Sequence, residues 1–149
     1  QKRVFGMIPG LENADFIRYG VMHRNTYINS PELLNTAFQL KKDPRLFFAG
    51  QMTGVEGYLE SAASGLMVGL QVARYVNDKA FIDFPKTTAH GALSHYVSEY
   101  EGSNFQPMNV NFGIMEPWPT KVRKKKEKNG LIANRALEDL AKLIDAESL

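Results

Sequence analysis

Leu46-Phe-Phe-Ala-Gly-Gln-Met-Thr-Gly-Val-Glu-Gly-Tyr-Leu-Glu-Ser-Ala-Ala-Ser-Gly65 decides how this chain folds. Residues 46–49 are a short apolar run between Asp43-Pro44 and Gly50, and read as a buried strand. Gly50, Gly54 and Gly57 punctuate a tight loop. From Tyr58 onward Leu59, Ala62, Ala63, Leu66, Leu70 and Ala73 recur at helical steps. The order is strand, glycine loop, helix. The first turn of such a helix has backbone N–H groups without partners and a partial positive charge. Glycines just before it allow a close approach, so the unit suits a phosphate or an electron-rich ring edge. Gly65 and Gly69 inside the helix each cost about 1 kcal/mol against Ala, which makes sense where the helix must lie close to a sheet or a cofactor. An ordinary βα unit with a small-residue packing face fits the same spacing. Neither G-x-G-x-x-G nor G-x-x-x-x-G-K-[ST] occurs.

Upstream, residues 1–8 read as the end of a helix stopped by Pro9-Gly10, and residues 16–19 as a short strand. His23, Arg24 and Asn25 lie in a row among β-formers, where they are either ligand-facing or part of a solvated turn. Ser30-Pro31 reads as a Ser-capped helical turn with Pro in first place. Residues 36–40 are expected to pair with residues 46–49 across a charged hairpin-like connection.

Downstream, Asn77-Asp78-Lys79 ends the central helix and residues 81–85 form a connector. Thr87-Thr88 caps a helix to about Tyr100, with Ala92, Leu93, Tyr96, Val97 and Tyr100 on one side. His90 and His95 are five apart, on different faces, and make a poor metal pair. Residues 104–115 interleave three Asn and a Gln with Phe, Met and Val. Their amides suit either the edge of a heterocycle or the satisfaction of loop backbone. Glu116-Pro-Trp-Pro119 is a stiff linker, and a last helix is expected from about Lys121 to Ala146.

The 149 residues are enough for one core, and 44% hydrophobic with 23% charged residues is ordinary for a globular chain. With no cysteine there is no disulfide, thiolate metal site or cysteine nucleophile here. No apolar run reaches transmembrane length. The net charge of +2 conceals an asymmetry: residues 121–128 hold six basic residues and one acid, leaving 12 basic against 15 acidic elsewhere, net −3. Lys121, Arg123, Lys124, Lys125, Lys126 and Lys128 form either a phosphate-attracting patch or a solvated helix start. The chain opens at Gln1 and reads as part of a longer protein.

Residues 48–65 resemble the C-terminal flavin motif of the folate- and FAD-dependent tRNA (uracil-5-)-methyltransferases, the TrmFO family, relatives of GidA. Met7-Ile-Pro-Gly-Leu-Glu-Asn-Ala14, Tyr19-Gly-Val-Met-His-Arg-Asn-Thr26 and Asn104-Phe-Gln-Pro-Met-Asn109 resemble the same family in the same order. The resemblance implies an α/β chain that is the C-terminal portion of a Rossmann-like FAD-binding fold. Residues 1–45 would lead back into the FAD domain, 46–80 would be its closing βα unit, and 81–149 a helical region with the basic tract. It implies a cytoplasmic enzyme that makes 5-methyluridine in the tRNA T loop, with methylenetetrahydrofolate as carbon donor, reduced FAD as carrier and NAD(P)H as electron source. Gly50, Gln51, Gly54, Val55, Glu56, Gly57 and Tyr58 would face the flavin ring. His23, Arg24, Asn25 and Tyr58 would lie on the folate side, and the basic tract on tRNA. The family's catalytic cysteines would lie outside this chain, leaving it inactive alone. Two alternatives remain: a GidA-like enzyme of the anticodon wobble uridine, and a stand-alone RNA-binding module. Unpaired edges at residues 46–49 would invite self-association.

Overall fold

The computed structural model describes residues 1–17, 20 and 25–149. Helices carry the architecture: α1 (Lys2–Phe5), α2 (Ser30–Leu33), α3 (Tyr58–Val76), α4 (Ala89–Glu99) and α5 (Lys125–Glu147), with a 3-10 turn at Gly50–Thr53. Among the described residues β-pairing amounts to three isolated bridges, Leu34 with Leu40, Gln39 with Phe47 and Val55 with Met108.

The expected strand at residues 46–49 is therefore corrected. The backbone is extended and pairs with residues 38–40, through Leu40 N–H to Leu46 O and Phe48 N–H to Phe38 O. The pairing stops after one bridge because Phe38 (φ 59°) and Gly50 (φ 71°) both turn into the left-handed region and cut the extended segments short. Nor is the run buried: Leu46 is 48% exposed. What anchors it is Phe47, whose ring lies 5.7 Å from Tyr75 and 6.1 Å from Phe81. Phe16 and Ile17 are not in a strand, and the rest of that expected element lies outside the described residues, as do His23 and Arg24.

α3 begins and ends where its sequence indicates, and its apolar positions are divided, Leu70 packing against the core. Ser64, Met67 and Gln71 point inward, whereas Leu59 (81% exposed) and Leu66 (65%) face solvent together with Gly65 and Gly69. A methyl group on either glycine would touch nothing within 4 Å, so within this chain the expected close approach is not made. The inward choice follows from polar complementarity. Gln71 donates to Ile82 O (2.8 Å) and accepts from Ile82 N–H (2.9 Å), fixing the connector. Ser64 Oγ accepts from Gly50 N–H (2.8 Å).

α4 is capped by Thr88, whose hydroxyl accepts from Gly91 N–H at 3.0 Å, and buries Ala92, Leu93 and Val97. The main core joins Leu34, Phe38, Val55, Met67, Ile82, Phe84, Leu93, Val97 and Phe105, drawing on every segment after residue 30 up to the Asn-rich loop. α5 starts at Lys125, four residues later than expected. Lys124 makes no side-chain cap, and cations crowded at a helix start oppose its dipole. Arg135 ties the preceding linker to α5 by donating to Glu116 O and to Pro117 O (3.2 Å), with its guanidinium 5.5 Å from the Trp118 ring centre. No helix is long and apolar enough to cross a membrane among the described residues.

Candidate functional site

Two neighbouring segments and the Asn-rich loop build one site around the glycine bend. Ile28 N–H donates to Met52 O (2.9 Å). The Ser30 hydroxyl, expected to cap α2, instead donates to Thr53 O at 2.8 Å, and Asn29 stands at the cap position. These two bonds fix the 25–30 segment against the 3-10 turn. From the other side, Glu56 N–H donates to Met108 O (3.0 Å) and Met108 N–H to Gly54 O (2.9 Å), a reciprocal pair that lays residues 104–109 along the bend.

Glycine is required at two points. Gly54 sits at φ 88°, and a Cβ there would lie 2.5 Å from the buried Phe105 ring. Gly57, at φ 98°, is the residue from which α3 starts, and its Cβ would collide with the Glu60 carboxylate and approach Asn109 Nδ2 to 2.9 Å.

Over this bend lies a hollow of about 470 Å³ lined by Asn25, Gln51, Glu56, Gly57, Tyr58, Ser61 and Asn109. No side chain caps α3, so its first-turn N–H groups border a polar cleft with their usual deficit of partners. The Glu60 carboxylate also stands at this helix start, within 3.5 Å of Asn109 Nδ2, so the positive end is already met by an acid. Tyr58 is 99% exposed and free to cover a ligand.

Of the seven residues expected at a flavin ring, Gln51, Glu56, Gly57 and Tyr58 line the hollow. Gly50, Gly54 and Val55 shape it from beneath: Gly50 through its bond to Ser64, Gly54 under Phe105, and Val55 fully buried. Asn25 joins them. Ser61 and Asn109 were not singled out for the site. Asn109 ends one of the quoted motifs, but its nearness to Gly57 depends on the bridge between Val55 and Met108.

No residue of the basic tract lines this hollow. Residues 121–124 precede α5, and Lys125, Lys126 and Lys128 lie in its opening turn with Glu127 among them. All six cations are exposed, and none forms a salt bridge among the described residues. His90 and His95 have different partners. His90 stacks on Phe84 at 6.1 Å, and burial lowers its pKa below 6.5. His95 Nδ1 lies 2.8 Å from Glu99 Oε2, and His95 and Lys86 together hold the Glu99 carboxyl below its usual range. Among the described residues no group of three His, Cys, Asp or Glu side chains could hold a metal.

The family model described as glucose inhibited division protein A matches residues 1–80. The methylenetetrahydrofolate–tRNA-(uracil-5-)-methyltransferase TrmFO of Pelotomaculum thermopropionicum is 57% identical over 140 residues, which is 94% of this chain and 32% of that protein. The protein of the same name from Streptococcus agalactiae is 59% identical, over 97% of this chain and 33% of its own length. That from Acetivibrio thermocellus is also 59% identical, over 99% and 34%. The chain spans about a third of the length of the curated relatives it matches.

Proposed function

Because the chain belongs to the glucose inhibited division protein A family, we propose that it is the flavin-side wall of a folate-dependent tRNA (uracil-5-)-methyltransferase. One observation carries the reading: a polar hollow sits over the uncapped start of α3 at a bend that only glycine allows. That cradle fits the edge of a flat heterocycle, since a side chain at position 54 or 57 would fill or distort it. FAD, when bound, supplies reducing electrons and a carrier for the one-carbon unit that passes from methylenetetrahydrofolate to uracil C5, with NAD(P)H as electron source.

This chain's own residues bind and orient. The Gly57 and Tyr58 backbone meets the ring edge, and Gln51 and Asn109 supply amides that both donate and accept. Tyr58 closes over the outer face and Asn25 borders the folate side, and folate contacts are assigned to His23 and Arg24, which lie outside the described residues. Glu60 tempers the helix-start field, so its carboxylate opposes negative charge developing at the ring edge. The α/β character belongs to the assembled enzyme, in which residues 46–49 extend a sheet of the Rossmann-like FAD domain. The cations from Lys121 to Lys128, none of them in a salt bridge among the described residues, attract tRNA phosphates, and the enzyme works in the cytoplasm. The names carried by the relatives favour 5-methylation over wobble-uridine modification.

The test uses a full-length protein carrying these residues. It should purify yellow and methylate T-loop uridine. Tyr58→Ala should lower methylation while leaving the unfolding midpoint unchanged, because the ring is exposed. A colourless, flavin-free protein would refute the assignment.

A further inference from the structure

Beside the hollow at the glycine bend lies a second, wider trough of about 620 Å³. It is lined by Asn25, Thr26, Tyr27, Asn29, Asn104 and Phe105, with Ser103 at its rim, and it shares Asn25 with the first. Its volume falls within the roughly 300–1,000 Å³ of small-ligand sites. Among the described residues none of the lining side chains carries a charge. A phosphate or carboxylate would therefore find no counter-charge among the described lining residues, and an apolar ligand would strand the amides. Neutral groups with both donors and acceptors are what remains, which describes the edges of nucleobases and ribose hydroxyls.

The amides are available for such work. Asn104 Oδ1 accepts from Gln106 Nε2 at 2.7 Å, which sets its orientation and leaves its Nδ2 donors uncommitted among the described residues. The side chains of Asn25 and Asn29 make no hydrogen bond among the described residues. Both walls are fixed to the same bend. Ile28 and Ser30 are bonded to Met52 and Thr53, while Phe105 packs over Gly54 and Gln106 O accepts from the Tyr96 hydroxyl at 2.8 Å. The aromatic floor is fixed too: the Tyr27 and Phe105 rings lie 6.0 Å apart, edge to face, and the Tyr27 hydroxyl donates to Phe105 O. A trough of this kind needs little ordering before it binds.

Resting on the tRNA reading above, we propose that this trough is a base-reading subsite for the RNA loop, taking an unstacked nucleobase beside the flavin-side hollow. Single-stranded loops present unstacked bases of this kind, and proteins read their edges with side-chain amides. The basic tract supplies attraction that is indifferent to sequence and falls with salt; the trough supplies neutral contacts that salt does not screen.

The experiment uses a full-length protein carrying these residues and an unmodified tRNA transcript. Asn29→Ala and Asn104→Ala should each raise the KM for tRNA by about three- to tenfold, the factor one hydrogen bond contributes. The KM for methylenetetrahydrofolate should hold, and so should the slope of tRNA affinity against salt. Asn104→Asp keeps the acceptor for Gln106 and removes the donors, so it should be at least as damaging as Asn104→Ala. Should Asn104→Ala lower the unfolding midpoint, Asn29→Ala carries the test, because its side chain makes no hydrogen bond among the described residues. An unchanged KM for tRNA in both alanine variants, or a rise in the folate KM instead, would overturn the subsite and leave the enzyme assignment standing. A parent protein that does not methylate tRNA at all would overturn both.

Discussion

Gly54→Ala tests how the site is held together. Gly54 lies at φ 88° with the Phe105 ring directly above it. An L side chain in the left-handed region costs about 1–2 kcal/mol. The new methyl would sit 2.5 Å from Phe105 Cζ and 2.8 Å from Cε1, well inside van der Waals contact. Phe105 cannot simply swing away, because Tyr27, Tyr96 and Tyr100 ring it at 6.0, 5.7 and 5.9 Å. Overpacking in such a place costs about 1–3 kcal/mol, so the total loss should be about 2–5 kcal/mol. The assay is denaturant unfolding followed by helical circular dichroism, with the slope checked for constancy. A double-mutant cycle separates the two parts. In a Phe105→Leu background the clash should disappear and the dihedral cost should remain, giving a coupling of about 1–3 kcal/mol. Additive effects, or a loss for Gly54→Ala below about 1 kcal/mol, would refute the packing argument.

Gly65→Ala and Gly69→Ala should each stabilise this chain by about 1 kcal/mol in the same assay, because a methyl there meets open space and Ala is the better helix former; a loss would mean that face is covered. Gln71→Leu should cost about 2–5 kcal/mol, read as a lower unfolding midpoint, because it leaves Ile82 N–H and C=O buried without partners. Burial lowers the His90 pKa, so the unfolded chain takes up that proton first. The stability this confers is complete above the ordinary value of 6.5 and is lost as pH falls through the folded value. Unfolding midpoints measured across mildly acidic pH should therefore drop, and His90→Leu should flatten the drop.

Local signals proved legible in the sequence. The Thr88 cap, the helical spacing after Tyr58 and the stop at Asn77 depend on neighbours a few residues away, and all three appear in the fold. Which face of α3 turns inward is not given by its apolar spacing: Leu59 and Leu66 are exposed, Leu70 packs against the core, and the chain buries Ser64 and Gln71 for hydrogen bonds that only the tertiary arrangement creates. The strand at residues 46–49 was overestimated for a related reason: apolar composition does not reveal that Phe38 and Gly50 turn the backbone away after one bridge. The bend itself was visible in its glycines. Asn109 and Ser61 were not, since what brings Asn109 to Gly57 is a pairing between segments some fifty residues apart.

That pairing joins two recognisable stretches, the glycine bend and residues 104–109, into one working shape. The family match ends at residue 80, yet Phe105, Met108 and Asn109 lie beyond it. A genetic swap made at that boundary would import every glycine of the bend and leave behind the residues that keep it open. Shuffling between relatives should therefore succeed only at breakpoints that carry both pieces together, whatever the similarity of the exchanged segment.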